Sequence, residues 1–543
     1  MGVNSRRRPR NKREENAAET AAASANATGQ TQPSAAATAA PQTAAGQPQV
    51  AEASKPRTLR ETAQATVPAV LGGVLSVGGM LLVSYVLSAD PVPPPEASPD
   101  YAVPSWLEVT DKVPRLSAVE VARRQKELFG LPVVVTESKW SSAVEAVNYT
   151  HEDWPNVFPE ITKVRKLLDK EYGPQNVFLY EDNTRMMREW DADGSRLGGP
   201  AIEVIDDAMS TRDFMDSEEP LYFSHKLVDD YKTTLGAAFP VAALRILSSF
   251  SPMNRSDEDV FKANFWLTPD NVIAGMHYDL GHNMFGQIAG CKRFLIVNST
   301  EWMRMQLFPL HHPNDRQSQW ELLDDDTVPL DKIPAMVADL GPGDTLYMPP
   351  LTFHRVATFP CQGGRHSASI NAWSRAAPEV VLQATQHLNN LPAIFASVTS
   401  DNIAEALPSL AYYLGGVLAS IVNSTTVPQF IDKALVEQRY MATSALSNAL
   451  SCGSDFDASR CPASVKDPVA NLHEASRAQL DRDIRTMVTL FQEHQAYVPS
   501  LEILVADFVE RVVTLVVGLP KVCTMLRCLA ASPYMENASA VNA

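Results

Sequence analysis

Two histidines and an aspartate carry the strongest chemical signal in this chain. His277-Tyr278-Asp279 is followed, after a long gap, by His354 in Pro349-Pro350-Leu351-Thr352-Phe353-His354. Two imidazoles and one carboxylate form a ligand set that holds Fe(II) on one face and leaves the opposite face open to substrates. Spacing of i, i+2 places His277 and Asp279 on the same side of a β-strand, because successive side chains alternate. A third ligand from a distant strand would close the triangle. The pair alone is a weak signal, since a histidine beside a solvated acid is common. His282, His311, His312 and His366 are rivals for the ligand role. Of these, His282 and His366 have no carboxylate at strand spacing and read as structural or surface groups.

The elements that must position these groups are short, β-rich and punctuated by glycine. Val272–His277, Met284–Ile288 and Arg293–Val297 are followed by Thr345–Met348, His354–Thr358 and Ser367–Trp373. Such runs predict an antiparallel jelly roll over about 262–375. Before it, a helix at Ser117–Gly130 and strands at Leu131–Thr136 and Asn176–Tyr180 predict a mixed α/β flank. After Pro378 the texture turns helical. Leu501, Leu504, Val505, Phe508, Val512 and Leu515 recur every three to four positions, with Asp507, Glu510 and Arg511 expected on the other side. This tail is read as a packing element or a homodimer contact. The fold class is therefore mainly β with α: a double-stranded β-helix between an N-terminal α/β flank and a C-terminal helical region.

The sequence around the ligands is more specific than the ligands themselves. Gly275-Met-His277-Tyr-Asp279-Leu-Gly-His-Asn283-Met-Phe-Gly-Gln287-Ile-Ala-Gly290-Cys-Lys292-Arg293 resembles the JmjC/cupin-like 2-oxoglutarate oxygenases, most of all the branch containing the asparaginyl hydroxylase factor inhibiting HIF. His311-His312-Pro313-Asn-Asp315-Arg316-Gln317-Ser318-Gln319, Gly341-Pro-Gly-Asp344 and Ile370-Asn371-Ala-Trp373 extend the likeness, which covers about residues 115–376. The resemblance implies that His277, Asp279 and His354 hold Fe(II) and that Lys292 pairs with the distal carboxylate of 2-oxoglutarate. Asn283, Asn371 and Tyr222 match positions near that cosubstrate. Arg316 and Gln317 correspond to residues lining a peptide groove, so a protein or peptide substrate is expected. One position departs from the pattern. Ala274 stands where the family carries Thr or Ser, and the lost hydrogen bond would weaken cosubstrate binding by about 1–2 kcal/mol. A tethered cupin that binds without turnover, or an oxygenase of small molecules, is the alternative.

Charge and hydropathy bound the rest. Net charge is −17, made of +4 in residues 1–61 and −21 in the remainder, which argues against nucleic acid as a partner. Residues 1–64 read as a disordered cytosolic tail. Residues 65–89 are uncharged and long enough to span a bilayer, at roughly 20 residues per crossing, with Lys55, Arg57 and Arg60 before them and Asp90, Glu96 and Asp100 after. These features predict a single-pass type II membrane protein whose body lies in the lumen of the endoplasmic reticulum or Golgi. A Pro-rich linker (90–112), the oxygenase domain (113–376) and the helical region (377–543) complete the expected organisation. Sequons at Asn148, Asn254, Asn298, Asn423 and Asn537 would be open to glycosylation there. Among the six cysteines, Cys452 and Cys461 bracket a loop that could close readily, whereas Cys523 and Cys528 are expected on different helix faces and are not paired with each other.

Overall fold

The computed structural model describes residues 97–536 except 125, 129, 148, 150, 168–175, 179–201, 228–259, 271, 324–330, 362–363, 387–394, 396–402, 423–424, 442–451, 453–460, 463–469, 471–472 and 496–499. All of these belong to one of two units, Asp90–Ala543. The expected tail (1–64), anchor (65–89) and first part of the linker lie outside the described residues.

Eight strands build the core: β1 (Val260–Pro269), β2 (Val272–Tyr278), β3 (His282–Ala289), β4 (Cys291–Val297), β5 (Ile333–Leu340), β6 (Thr345–Met348), β7 (Phe353–Phe359) and β8 (His366–Ser374). They segregate into two facing sheets, in the order β6-β3-β8-β1 and β5-β4-β7-β2. The first sheet is extended by Val133–Thr136 and Arg115–Ser117 beyond β6, and by Leu221–Lys226, Val164–Leu167 and Ile202–Ile205 beyond β1. Alternation decides which side chains meet. Phe294 and Ile296 of β4 pack inward against Phe285 of β3 and Leu346 and Met348 of β6. Their neighbours Leu295 and Val297 pack outward with Met276, Tyr278 and Phe353. The β3–β4 turn requires glycine: Gly290 has φ +66°, and a Cβ there would collide with the His366 carbonyl.

The outward face of the β5-β4-β7-β2 sheet is covered by helices α1 (Ala377–Gln386), α2 (Ile403–Ala419), α3 (Glu474–His494), α4 (Leu501–Val517) and α5 (Val522–Ala530), with a π-helical stretch at Phe430–Tyr440. The expected amphipathic face of α4 is corrected. Leu515 is 55% exposed, whereas Asp507 and Glu510 are buried. Their burial is possible because Arg439 meets both, 2.7 Å from Asp507 and 2.7 Å from Glu510.

Three further expectations change. The expected membrane placement is contradicted: among the described residues no helix is long and apolar enough to cross a membrane. Helices α2 and α4 have 17 residues each, short of the roughly 20 that a bilayer demands, and the 21 residues of α3 are studded with charge. Residues 97–112, expected as spacer, instead pack on the body. Leu107–Lys112 forms a parallel edge strand beside β5, and Arg293 gathers the carbonyls of Ala97, Ser98, Pro99 and Tyr101. Finally, the cysteines pair as Cys291–Cys361, Cys452–Cys523 and Cys461–Cys528. Cys452 and Cys461 are thus each joined to α5 and not to each other.

Candidate metal centre and anion pocket

The two histidines meet because their strands are neighbours. His277 on β2 lies directly opposite His354 on β7 in the antiparallel register, with ring centroids 4.2 Å apart. A register shift between Ala274 and His277 marks a bulge, a device that re-aims a side chain at a strand end. Asp279 falls just past the last residue of β2, not within it as the i, i+2 reading supposes. The turn before His354 holds it instead: Leu351, at φ +62°, donates its backbone N–H to the Asp279 carbonyl at 2.7 Å. One ligand atom from each of His277, Asp279 and His354 lies within 4.8 Å of the others.

The second ring nitrogens and the carboxylate are fixed from behind. Nδ1 of His277 contacts the Gly275 carbonyl at 2.7 Å and Nδ1 of His354 the Thr352 carbonyl at 3.0 Å, so Nε2 is the atom each ring would offer a metal. Burial and the neighbouring His354 push the His277 pKa down to about 4, which keeps its imidazole neutral at pH 7. Burial pushes the Asp279 carboxyl upward, but the two imidazoles and the Trp373 indole outweigh it and hold it below its ordinary value. Asp279 Oδ2 accepts from Asn283 Nδ2 and from Trp373 Nε1, each at 2.8 Å. Asn371 Nδ2 donates to Asn283 Oδ1 at 3.1 Å, and Trp266 Nε1 donates to Asn371 Oδ1 at 2.7 Å. This chain of donors orients one carboxylate oxygen and leaves the other for a cation. Donor types and spacing fit a divalent metal.

One cavity of about 650 Å³ receives all nine residues singled out in the sequence: His277, Asp279, His354, Lys292, Asn283, Asn371, Tyr222, Arg316 and Gln317. Lys292 is 3% exposed and lies opposite Thr358, on the strand that carries His354. Its ammonium sits 5.5 Å from the Phe285 ring centroid and has no hydrogen bond or ion pair among the described residues. Burial draws its pKa down to about 7. A buried cation without an anion is costly, and a carboxylate ligand would relieve it. The residues present therefore fit both a metal and an anionic cosubstrate. Arg316, at φ +63°, and Gln317 form one wall, where Gln317 bridges His277 and the Arg316 carbonyl accepts from the Tyr278 N–H.

Sequence reasoning missed the indole donors. Trp373 stands two positions from Asn371 on β8, a spacing that already places both on one face. Trp266 had no comparable signal, because its partnership with Asn371 depends on the β1–β8 register. The rivals lie elsewhere: His282 is buried with Nδ1 2.9 Å from the Tyr347 hydroxyl, and His311, His312 and His366 are buried apart from the ligand group.

A double-stranded β-helix with two imidazoles and a carboxylate at one end defines a cupin-type barrel with a candidate metal centre. Residues 202–379 match the cupin-like domain, so this stretch of the chain is a domain of the JmjC/cupin type. It is similar to Jumonji C domain-containing protein 5 of Drosophila melanogaster, at 35% identity over 95 residues, 17% of this chain and 23% of that protein. It is also similar to tRNA wybutosine-synthesizing protein 5 of Mus musculus, at 24% identity over 209 residues, 37% of this chain and 61% of that protein. The chain thus spans less than two thirds of each relative. Neither match singles out the branch of factor inhibiting HIF.

Proposed function

We propose that this chain is an Fe(II)- and 2-oxoglutarate-dependent oxygenase that hydroxylates a protein side chain. The observation that carries the reading is Lys292, a buried amine with no hydrogen bond or ion pair among the described residues, which shares one cavity with His277, Asp279 and His354. His277, Asp279 and His354 would hold the iron. Lys292 would hold the distal carboxylate of 2-oxoglutarate, with Tyr222, Asn283 and Asn371 beside it. Iron and 2-oxoglutarate together supply the oxidation of a C–H bond to C–OH by O₂, with 2-oxoglutarate converted to succinate and CO₂. The protein's own share is to fix the carboxylate ligand through Asn283 and Trp373, to keep His277 neutral, and to aim the substrate bond at the metal. Arg316 and Gln317, on the wall that bridges to His277, are the residues proposed to seat a peptide. The mouse relative is named for a tRNA modification, but a net charge of −17 disfavours RNA as the ligand here. Ala274 is the observation favouring a cupin that binds without turnover.

Succinate release from purified chain incubated with Fe(II), ascorbate and 2-oxoglutarate tests the reading. Turnover is expected, stimulated by the correct peptide and abolished in His277→Ala. No turnover with or without candidate peptides, together with no 2-oxoglutarate binding, would sink it.

A further inference from the structure

Ala274 lines the cavity with a methyl group that can make no hydrogen bond. Across the same cavity stand two hydroxyls that no element of the sequence reading had used. Thr268 on β1 and Thr358 on β7 are 1% and 2% exposed, both line the cavity, and their Oγ1 atoms lie 2.7 Å apart. We infer that this threonine pair supplies the hydroxyl donor to the distal carboxylate of 2-oxoglutarate that Ala274 cannot, and so completes the pocket with Lys292. The inference rests on the oxygenase reading above.

Counting protons makes the case. Each hydroxyl has one proton and two lone pairs. Within the pair one hydroxyl donates and the other accepts, so the accepting hydroxyl still has its own proton to give. Neither hydroxyl has another partner among the described residues. One O–H donor therefore remains unspent in a buried site, which is unfavourable until an acceptor arrives.

Register places that donor where it is needed. His354, Val356 and Thr358 alternate along β7 and all three line the cavity. Ala274 lies opposite Val356, and Lys292 lies opposite Thr358. The threonine pair is thus level with the unpaired ammonium, one step along the strand from the alanine and two from the metal-binding histidine. An acid anchored at the metal by one end would present its other end to Lys292 and Thr358 together.

Full-length chain loaded with Mn(II), without O₂, is titrated with 2-oxoglutarate and separately with 2-oxobutyrate, which lacks the distal carboxylate. Thr358→Val and Thr268→Val should each weaken 2-oxoglutarate binding about tenfold, with Mn(II) affinity and 2-oxobutyrate binding within twofold of the parent. Adding Ala274→Thr to Thr358→Val should restore most of the loss. In the parent background Ala274→Thr alone, which leaves both threonines in place, should gain less than twofold, because the donor is already supplied. A parent-like 2-oxoglutarate affinity in both valine variants would overturn the inference while leaving the oxygenase reading intact. So would a tenfold gain from Ala274→Thr alone, which carries no risk to the threonine pair's packing. A parent chain that binds no 2-oxoglutarate at all overturns the oxygenase reading and this inference with it.

Discussion

Arg439→Met should destabilise the chain by about 3–5 kcal/mol, the usual cost of stranding buried charge by removing its partner. Arg439 is 1% exposed and donates at 2.7 Å to Asp507 and at 2.7 Å to Glu510, which are 3% and 0% exposed. Methionine fills much of the volume, so the cost falls on two carboxylates left in an apolar layer. Both are also tied elsewhere: Glu510 accepts from the Leu310 backbone N–H at 2.7 Å and from Tyr440 at 2.6 Å, while Asp507 accepts from Tyr278 at 3.4 Å. For a body this large roughly 2 °C is lost per kcal/mol, giving a drop of about 6–10 °C in Tm. Calorimetric unfolding at several pH values checks both size and sign. Burial already holds the Glu510 carboxyl above its ordinary value, and removing the guanidinium that draws it down raises it further. Stability from that shift is complete below the unfolded pKa and is lost as pH rises through the folded one, so the deficit should widen from pH 5 to pH 8. Arg439→Met combined with Asp507→Asn and Glu510→Gln keeps acceptors for Leu310 and Tyr440 and should recover most of the loss. A deficit under about 1 kcal/mol, or one that does not change with pH, would refute the reasoning.

Lys292, with a pKa drawn down to about 7 by burial, should take up a proton when an anion binds. At pH 8 the uptake on 2-oxoglutarate binding should approach about 0.9 proton and at pH 6 about 0.1, read from calorimetry in buffers of different ionisation enthalpy; Lys292→Met should abolish it. In the empty protein the sign is that of a depressed lysine: the penalty of the buried ammonium is complete below about pH 7 and is relieved as pH rises toward the unfolded value near 10.4. Trp373→Phe removes one of two donors to Asp279 Oδ2 and should lower metal affinity about 10-fold or more, with Tm changed little; unaltered Mn(II) binding would show that the indole packs without orienting the ligand. Replacing Cys291 and Cys361 by serine opens a link spanning 70 residues and should cost up to about 4 kcal/mol, measured as a shift in the denaturant midpoint.

The grouping of His277, Asp279 and His354 and the six core strands around them were legible because local rules govern them: alternation, glycine turns and a ligand chemistry few residue types can provide; Lys292 stood out only through the family resemblance. What stayed hidden depends on pairing between distant segments. The i, i+2 reading of His277 and Asp279 could not anticipate the bulge between Ala274 and His277, nor that β2 ends at Tyr278, one residue short of Asp279. Asp507 and Glu510 looked like a solvated face because the residue that neutralises them, Arg439, lies 68 and 71 positions upstream. Cysteine spacing suggested a small closed loop, yet Cys452 and Cys461 each reach a partner about 70 residues away. The threonine pair was likewise invisible, since Thr268 and Thr358 are 90 positions apart.

The middle residue of the metal motif joins these two levels. His277 and Asp279 turn toward the cavity, so the alternation sends the Tyr278 side chain into the helical layer, where its hydroxyl meets Asp507. Glu510, one turn along the same helix, holds the backbone of Leu310, six residues before Arg316. Gln319, just beyond Gln317, donates to the Arg439 carbonyl at 2.9 Å. A single buried cluster of charge therefore braces both the strand that carries His277 and leads into Asp279 and the wall proposed to seat a peptide. That arrangement gives the carboxylates of α4 a structural role: they tie the strand that carries His277 to the segment that carries Arg316 and Gln317. It follows that Arg439→Met, although its side chain does not line the cavity, should loosen the wall as well as the fold, and that a peptide's KM should rise in that variant at temperatures where the chain is still fully folded.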